Sequence, residues 1–286
     1  MRREIAHGSL LREANIPPTS SLLDPIAPVL ENRPLGADHF LLTLASPSIA
    51  AAARPGQFVM VRLPDRLDPL LARPMSLHEA LPPEESLPGR IRILHKVVGK
   101  GTSLLASLAP GQSLHLLGPL GRPFEIPSPG GSDRALMVAG GVGIALFPFL
   151  VPALLAGGWK PILLFGARSA PDLVTRDAFS RHGVEVLTAT EDGSHGTRGR
   201  VTALLEERLA GAGMIYACGP DPMLRAVSRL ANAAAVPCQL SLESAMGCGF
   251  GVCLGCVVPV RRAEGQAYAR ICVEGPTFMA TEVIWE

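Results

Sequence analysis

Apolar residues between positions 26 and 117 fall in short runs broken by Gly and Pro, at 26–32, 39–45, 57–62, 75–80, 90–98 and 113–117. Runs of this length predict short strands, and strands so spaced predict a small β-barrel. The stretch 127–133, with its Pro, Ser and Gly, reads as a linker. Beyond it the period changes. Apolar stretches at 135–139, 162–165, 185–190 and 214–217 alternate with helical patterns at 146–156, 176–181, 201–209 and 222–235. That alternation predicts a parallel sheet with crossover helices. After about residue 237 a Gly- and Cys-rich segment follows neither period. The expected fold is therefore multi-domain α+β: an N-terminal β-barrel over 22–126, a central α/β domain with a parallel sheet over 133–237, and a small C-terminal cysteine domain over 238–286. A loose tail is expected up to Leu22.

Composition narrows the partners. The 286 residues carry 26 basic and 25 acidic side chains, a net charge of +1, without any Lys/Arg run. Nothing here attracts nucleic acid or anionic lipid, so small molecules or proteins are the expected partners. The N-terminus bears Arg2, Arg3, Glu4, Arg12 and Glu13 and lacks the apolar core of a secretory signal, which predicts a cytoplasmic protein. Residues 135–159 contain no charge and are long enough on paper to span a bilayer. Gly140, Gly141, Gly143, Pro148, Pro152, Gly157 and Gly158 within them read better as strand, tight turn and buried helix, so no membrane contact is expected.

Six cysteines in a cytoplasmic chain point to metal or redox chemistry rather than disulfides. Cys248, Cys253 and Cys256 are separated by four and then two residues, the spacing of plant-type ferredoxins, and Cys272 supplies a fourth thiolate. Gly247, Gly249, Gly251 and Gly255 suit a loop that must bring backbone amides close to sulfur. The expected centre is a 2Fe–2S cluster. A structural zinc site and unligated core thiols are the alternatives; zinc sites usually pair two Cys-x-x-Cys knuckles, and here there is one tight loop and one distant ligand. Cys238 reads as a small buried hydrophobe.

Two further groups of residues carry candidate chemistry. Arg73-Pro74-Met75-Ser76 offers a planar fork and a hydroxyl, and Gly101-Thr102 offers amides at the start of a helix, all suited to phosphate. Val138-Ala139-Gly140-Gly141-Val142-Gly143 joins a strand to a helix, and Tyr216-Ala217-Cys218-Gly219-Pro220 ends a later strand. Each string alone is common surface or turn punctuation. Taken in order, they resemble the ferredoxin–NADP reductase superfamily over nearly the whole chain after residue 22. The appended Ser241-to-Val258 segment and Cys272-Val-Glu-Gly-Pro-Thr-Phe resemble, within it, the electron-transfer subunits of NAD-dependent dihydroorotate dehydrogenase.

The resemblance implies that the barrel binds FAD through Arg73, Pro74, Met75, Ser76, Leu94, His95, Lys96, Gly101 and Thr102. It implies that NAD meets Gly140, Gly141, Gly143, Cys218, Gly219 and Pro220. It further implies an FMN-containing catalytic partner subunit, in a heterodimer or heterotetramer, with electrons passing through cluster and FAD to NAD+ in pyrimidine (UMP) biosynthesis. No general base or substrate carboxylate clamp is visible in this chain, so no catalytic residue is assigned to dihydroorotate oxidation. Family members usually place Pro directly after the Gly-x-Gly-Ile-Ala turn; here Leu146 follows, and Pro148 comes two residues later. That leaves the helix start open. Two other readings stand beside this one: a reductase subunit of a bifurcating or hydrogenase complex, and a non-catalytic redox-sensing module.

Overall fold

Every second residue of Ser113–Leu120 is buried, and this period-two rule builds the N-terminal sheet. The computed structural model describes Leu23, residues 25–64 and residues 67–285; the tail expected up to Leu22 lies outside the described residues. The first sheet contains β1 (Ile26–Gly36), β2 (His39–Ala45), β3 (Phe58–Arg62), β4 (Arg73–Ser76), β5 (Glu79–Leu81), β6 (Arg90–Lys96) and β7 (Ser113–Leu120). Its order is β4-β3-β7-β1-β2-β6-β5, antiparallel throughout.

The run 75–80, read as one strand, is two. Between them Leu77 donates its N–H to the Gln57 carbonyl at 3.2 Å and His78 to the Arg92 carbonyl at 2.8 Å. The chain thus steps from one edge of the sheet to the other in two residues. Such a step requires the sheet to curl until its edges adjoin, although no ladder joins β4 to β5. Leu42, Leu44, Val59, Ile91, Ile93 and Leu114 fill the inside. Short helices α1 (Pro47–Ala52) and α2 (Lys100–Ala106) lie in the connections.

The central sheet contains β8 (Arg134–Gly140), β9 (Lys160–Ala167), β10 (Glu185–Thr190), β11 (Thr197–Arg198), β12 (Met214–Cys218) and β13 (Cys238–Ser241). After a hairpin of β14 (Val257–Arg262) and β15 (Gly265–Arg270), the chain returns as β16 (Thr277–Met279). The order is β11-β10-β9-β8-β12-β13-β16, parallel except for the last pair. Helices α3 (Phe147–Ala156), α4 (Asp177–Ser180), α5 (Val201–Arg208) and α6 (Asp221–Ala233) cross between strands. The uncharged stretch 135–159 is accounted for by β8, a 3-10 turn at Gly141–Leu146 and α3. No helix among the described residues is long and apolar enough to cross a membrane.

The segment beyond residue 237 therefore begins and ends on the central sheet. Four- and three-residue strands are too short to show a period, so the sequence reads there as irregular. The two sheets meet across a seam where Leu41 and Leu94 join a core with Met137, Ile144 and Phe147. Polar ties cross the same seam: Lys96 to Asp172 at 2.7 Å, and the buried His78 through Nδ1 to the Ala145 carbonyl at 2.7 Å.

Burial pushes the His78 imidazole from 6.5 down to about 4, so it stays neutral in the fold. A folded pKa below the unfolded one makes the unfolded chain the stronger proton binder, so stability is intact above 6.5 and is lost as pH falls toward 4. His95, also held near 4, adds in the same direction. The expected outcome of denaturant titrations across this range is a falling stability that is shallower in His78→Asn, each group contributing at most roughly 1.4 kcal/mol per pH unit. Parallel pH profiles for the two proteins would contradict this.

Candidate functional site

The cysteine loop is tight because two of its glycines take left-handed backbone, Gly249 at φ +83° and Gly251 at φ +91°. A Cβ on Gly249 would stand 2.4 Å from Met60 Cγ, and one on Gly251 2.6 Å from Val273 Cγ2, so both also permit close packing. The four thiols are neighbours: Cys253 bears on the ionisation of Cys248, and Cys256 on that of Cys272. The first pair faces outward, with Cys253 exposed, whereas Cys256 and Cys272 are buried. Among the described residues no three His, Cys, Asp or Glu side chains converge on one ion. A 2Fe–2S cluster takes two thiolates on each of two irons, and four neighbouring thiols in one lobe supply that number.

Backbone amides prepare these sulfurs for charge. Partial burial opposes ionisation of Cys248, yet N–H groups of Cys253, Phe250 and Val252 and the Cys253 side chain bring its thiol down to about 7. Burial and the neighbouring Cys256 push Cys272 up to about 12, against an opposing amide from Gly251. A cation bound between the inner sulfurs would remove that penalty. The loop is pinned by Arg270, whose Nη1 donates to the Gly251 carbonyl at 3.1 Å and whose Nε donates to the Glu274 carboxylate at 3.1 Å. Ile271 N–H meets the Cys256 carbonyl at 3.0 Å, tying the two segments that carry the inner pair.

On the N-terminal sheet, the Arg73 guanidinium lies directly over Gly101, where a Cβ would stand 2.6 Å from Nε. Arg73 also donates to the Leu71 carbonyl. Thr102 Oγ1 accepts from the Val98 and Gly99 amides at 2.9 and 3.1 Å, so its hydroxyl shapes the turn before α2. Pro74, Met75 and Ser76 are half-buried. Leu94 is buried in the seam, and Lys96 is engaged by Asp172. His95 stacks on Phe40 with ring centroids 5.7 Å apart, and both of its buried nitrogens lack a partner. Burial, with His39 adding, holds it neutral near 4. The cradle at Gly101 and the orphaned nitrogens of His95 are features that a bound flavin would account for.

At the carboxyl ends of β8 and β12 the two glycine turns pack backbone against backbone. A Cβ on Gly143 would lie 2.3 Å from the Cys218 carbonyl oxygen, and one on Gly140 2.5 Å from Met223 Sδ. Gly219 takes φ +156°, and a Cβ there would lie 3.1 Å from the Gly140 nitrogen. Gly141, at φ +53°, faces open space. The helix start left open by Leu146 is now defined: a 3-10 turn carries the chain to Phe147, and Pro148 falls in the first turn of α3, where its missing N–H costs nothing. Pro222 occupies the first turn of α6 in the same way, with Pro220 as its N-cap.

Cys218 is buried, and burial, reinforced by the Glu243 carboxylate, raises its thiol pKa while the Ser241 hydroxyl opposes the rise. Burial, with Asp221 adding, also raises Glu243. Sequence reading passed over Glu243. Its signal was position, two residues beyond Ser241, which pairs with Cys218 at the same sheet edge.

Residues 243–284 match the family described as the iron-sulfur cluster binding domain of dihydroorotate dehydrogenase B, and residues 137–229 match the oxidoreductase NAD-binding domain. The dihydroorotate dehydrogenase B (NAD(+)) electron transfer subunit of Desulforamulus reducens is 37% identical over 262 residues, spanning 91% of this chain and 98% of its own. Its counterpart in Bacillus caldolyticus is 39% identical over 257 residues, spanning 90% and 96%. A solved chain of the NADH-dependent reduced ferredoxin-NADP oxidoreductase, studied for flavin-based electron bifurcation, aligns with a TM-score of 0.79 at 31% identity, covering 91% of this chain and 90% of that one. The cytochrome P450 reductase GcoB of Amycolatopsis aligns with a TM-score of 0.60 at 24% identity over 74% of this chain and 66% of that one, a likeness of fold alone. The fold is ferredoxin–NADP reductase-like, with mixed sheets and an added iron–sulfur domain.

Two substitutions separate the candidate sites. Cys253→Ser is expected to lower bound iron severalfold and leave flavin fluorescence recovered on denaturation unchanged. Gly101→Ala is expected to do the reverse, weakening flavin at least tenfold: the new methyl meets only the far end of Arg73, which can swing aside without unfolding the sheet. Simultaneous loss of iron and flavin in either variant would mean that the sites are not separable.

Proposed function

This chain belongs to the electron-transfer subunits of NAD-dependent dihydroorotate dehydrogenase B, and on that footing we propose that it delivers electrons from dihydroorotate, oxidised on an FMN-containing catalytic partner, to NAD+ in pyrimidine biosynthesis. When bound, FAD and a 2Fe–2S cluster supply the exchange between single electrons and hydride. The observation that carries this reading is adjacency. Met60 touches the cluster loop at Gly249 and pairs across the sheet with Pro74 of the Arg-Pro-Met-Ser strand. Cys218 pairs with Ser241, the last residue of β13 before the chain enters the cluster lobe. One lobe thus abuts both other sites.

In this reading the curled N-terminal sheet is the flavin barrel. Arg73 and the amides of Gly101 and Thr102 hold the pyrophosphate, Pro74, Met75 and Ser76 line the ring, and Leu94, His95 and Lys96 flank it. The open backbone at Gly141, between Gly140 and Gly143, receives the nicotinamide nucleotide, and Cys218, Gly219 and Pro220 wall its reactive end. Cys248, Cys253, Cys256 and Cys272 would hold the cluster, the first two on its outer side and the last two on its buried side. The subunits assemble in the cytoplasm as a heterodimer or a pair of heterodimers.

A second reading, a reductase subunit of a bifurcating complex, is favoured by the alignment with the ferredoxin-NADP oxidoreductase chain. The displaced Pro148 gives no support to a non-catalytic redox-sensing module, because it sits harmlessly in the first turn of α3. The deciding experiment is co-expression with an FMN-containing dihydroorotate dehydrogenase and assay of NADH formation from dihydroorotate. The expected result is NADH formation by the complex, NADH-dependent dye reduction by this chain alone, and no dihydroorotate oxidation by this chain alone. A complex that reduces dyes with NADH but never forms NADH from dihydroorotate would favour the second reading.

A further inference from the structure

On the far side of the seam lies a cleft of about 590 Å³, between the outer face of β1, β2 and β6 and the segment that carries α4. Its volume is that of a small-molecule site, roughly 300–1,000 Å³. Arg33, Arg92, Arg176 and Arg181 line it, against Glu79 and Asp177, which leaves two positive charges in excess. Glu79 is already shared, bonded to Arg92 at 2.8 Å and to Arg181 at 3.3 Å. Arg33 lies 3.9 Å from Glu31, and its side chain is 54% exposed. Leu35, Leu41, Leu173 and Val174 add apolar surface to the lining.

Two features set this cleft apart from a solvated charged face. Thr175, in its wall, is a β-branched residue at φ +59°, a conformation that costs energy and collects at ligand-binding segments. Its Oγ1 and the Nε of Arg92 are buried without partners. None of the residues assigned above to flavin, nicotinamide or cluster lines the cleft.

We propose that this cleft binds a phosphomonoester of nucleotide size, its dianionic phosphate gripped by Arg33 and by the remaining donors of Arg176, whose Nη1 lies 2.8 Å from His195 Nε2, and its flat body laid on the apolar lining. Guanidinium forks match phosphate oxygens in pairs, and the wall keeps a positive excess that favours an anion. A ligand here bridges the flavin half and the nicotinamide half of the chain, so it would bias how the two are held together. The proposal goes beyond the electron-transfer reading and is tested apart from it.

Isothermal titration calorimetry on holoprotein saturated with NAD+ would use uridine and adenosine 5′-monophosphates, their nucleosides and inorganic phosphate as probes. The expected result is binding of at least one monophosphate with NAD+ still in place, and at least tenfold weaker binding of the nucleosides and of inorganic phosphate. Arg33→Ser with Arg176→Gln is expected to weaken the monophosphate at least a hundredfold, about the loss of two charge-assisted contacts, and to leave electron transfer to NAD+ unchanged. Arg33→Glu alone is the second variant, at a largely exposed position that the fold tolerates, and is expected to abolish binding. Displacement of the monophosphate by NAD+, absence of heat at ~5 mM, equal binding of inorganic phosphate, or full affinity in the folded variants would each overturn the proposal.

Discussion

The placement of the cysteine lobe depends on a few backbone hydrogen bonds. Strand β13 lies parallel to β12, β16 returns antiparallel to β13, and Leu242 N–H closes on the Pro276 carbonyl at 2.9 Å. Because the lobe leaves and re-enters the central sheet within these few residues, its position is fixed by the same ladder that positions Cys218. A flexible tether would have left the distance between sulfur and nucleotide edge to chance. On its other flank the lobe is seated by sterics: Gly249 admits the side chain of Met60, and Gly121 approaches Pro276, where a Cβ would stand 2.5 Å from Cδ.

Each candidate cofactor position is framed by backbone rather than by long side chains. Amides face Cys248, a glycine lies under Arg73, and two glycine turns interlock at the ends of β8 and β12. Backbone dipoles are held by the sheet and need no reorganisation when charge moves, which suits a protein whose partners change charge repeatedly. Long charged side chains serve instead as fasteners, as in the Lys96–Asp172 and Arg270–Glu274 pairs.

Much of this was legible in the chain itself. Strands β2 and β10 fall where the apolar runs 39–45 and 185–190 put them, because turn residues bound each run. The cysteine spacing survives as a signal because coordination geometry tolerates little variation. Other features had no local signature. Helix α1 buries only Ile49 in six residues, too little to mark a period. The step from β4 to β5 is set by curvature of the whole sheet, and β13 and β16 are defined by their neighbours rather than by their own composition. The nearness of the sulfurs and the burial of His95 and Glu243 are tertiary facts, invisible until distant segments meet.

The unequal depth of the sulfur pairs gives the lobe a direction. Small oxidants diffusing from solvent reach the exposed Cys253 first, while Cys256 and Cys272 are buried. Damage would therefore start at the surface and leave the inner thiols intact.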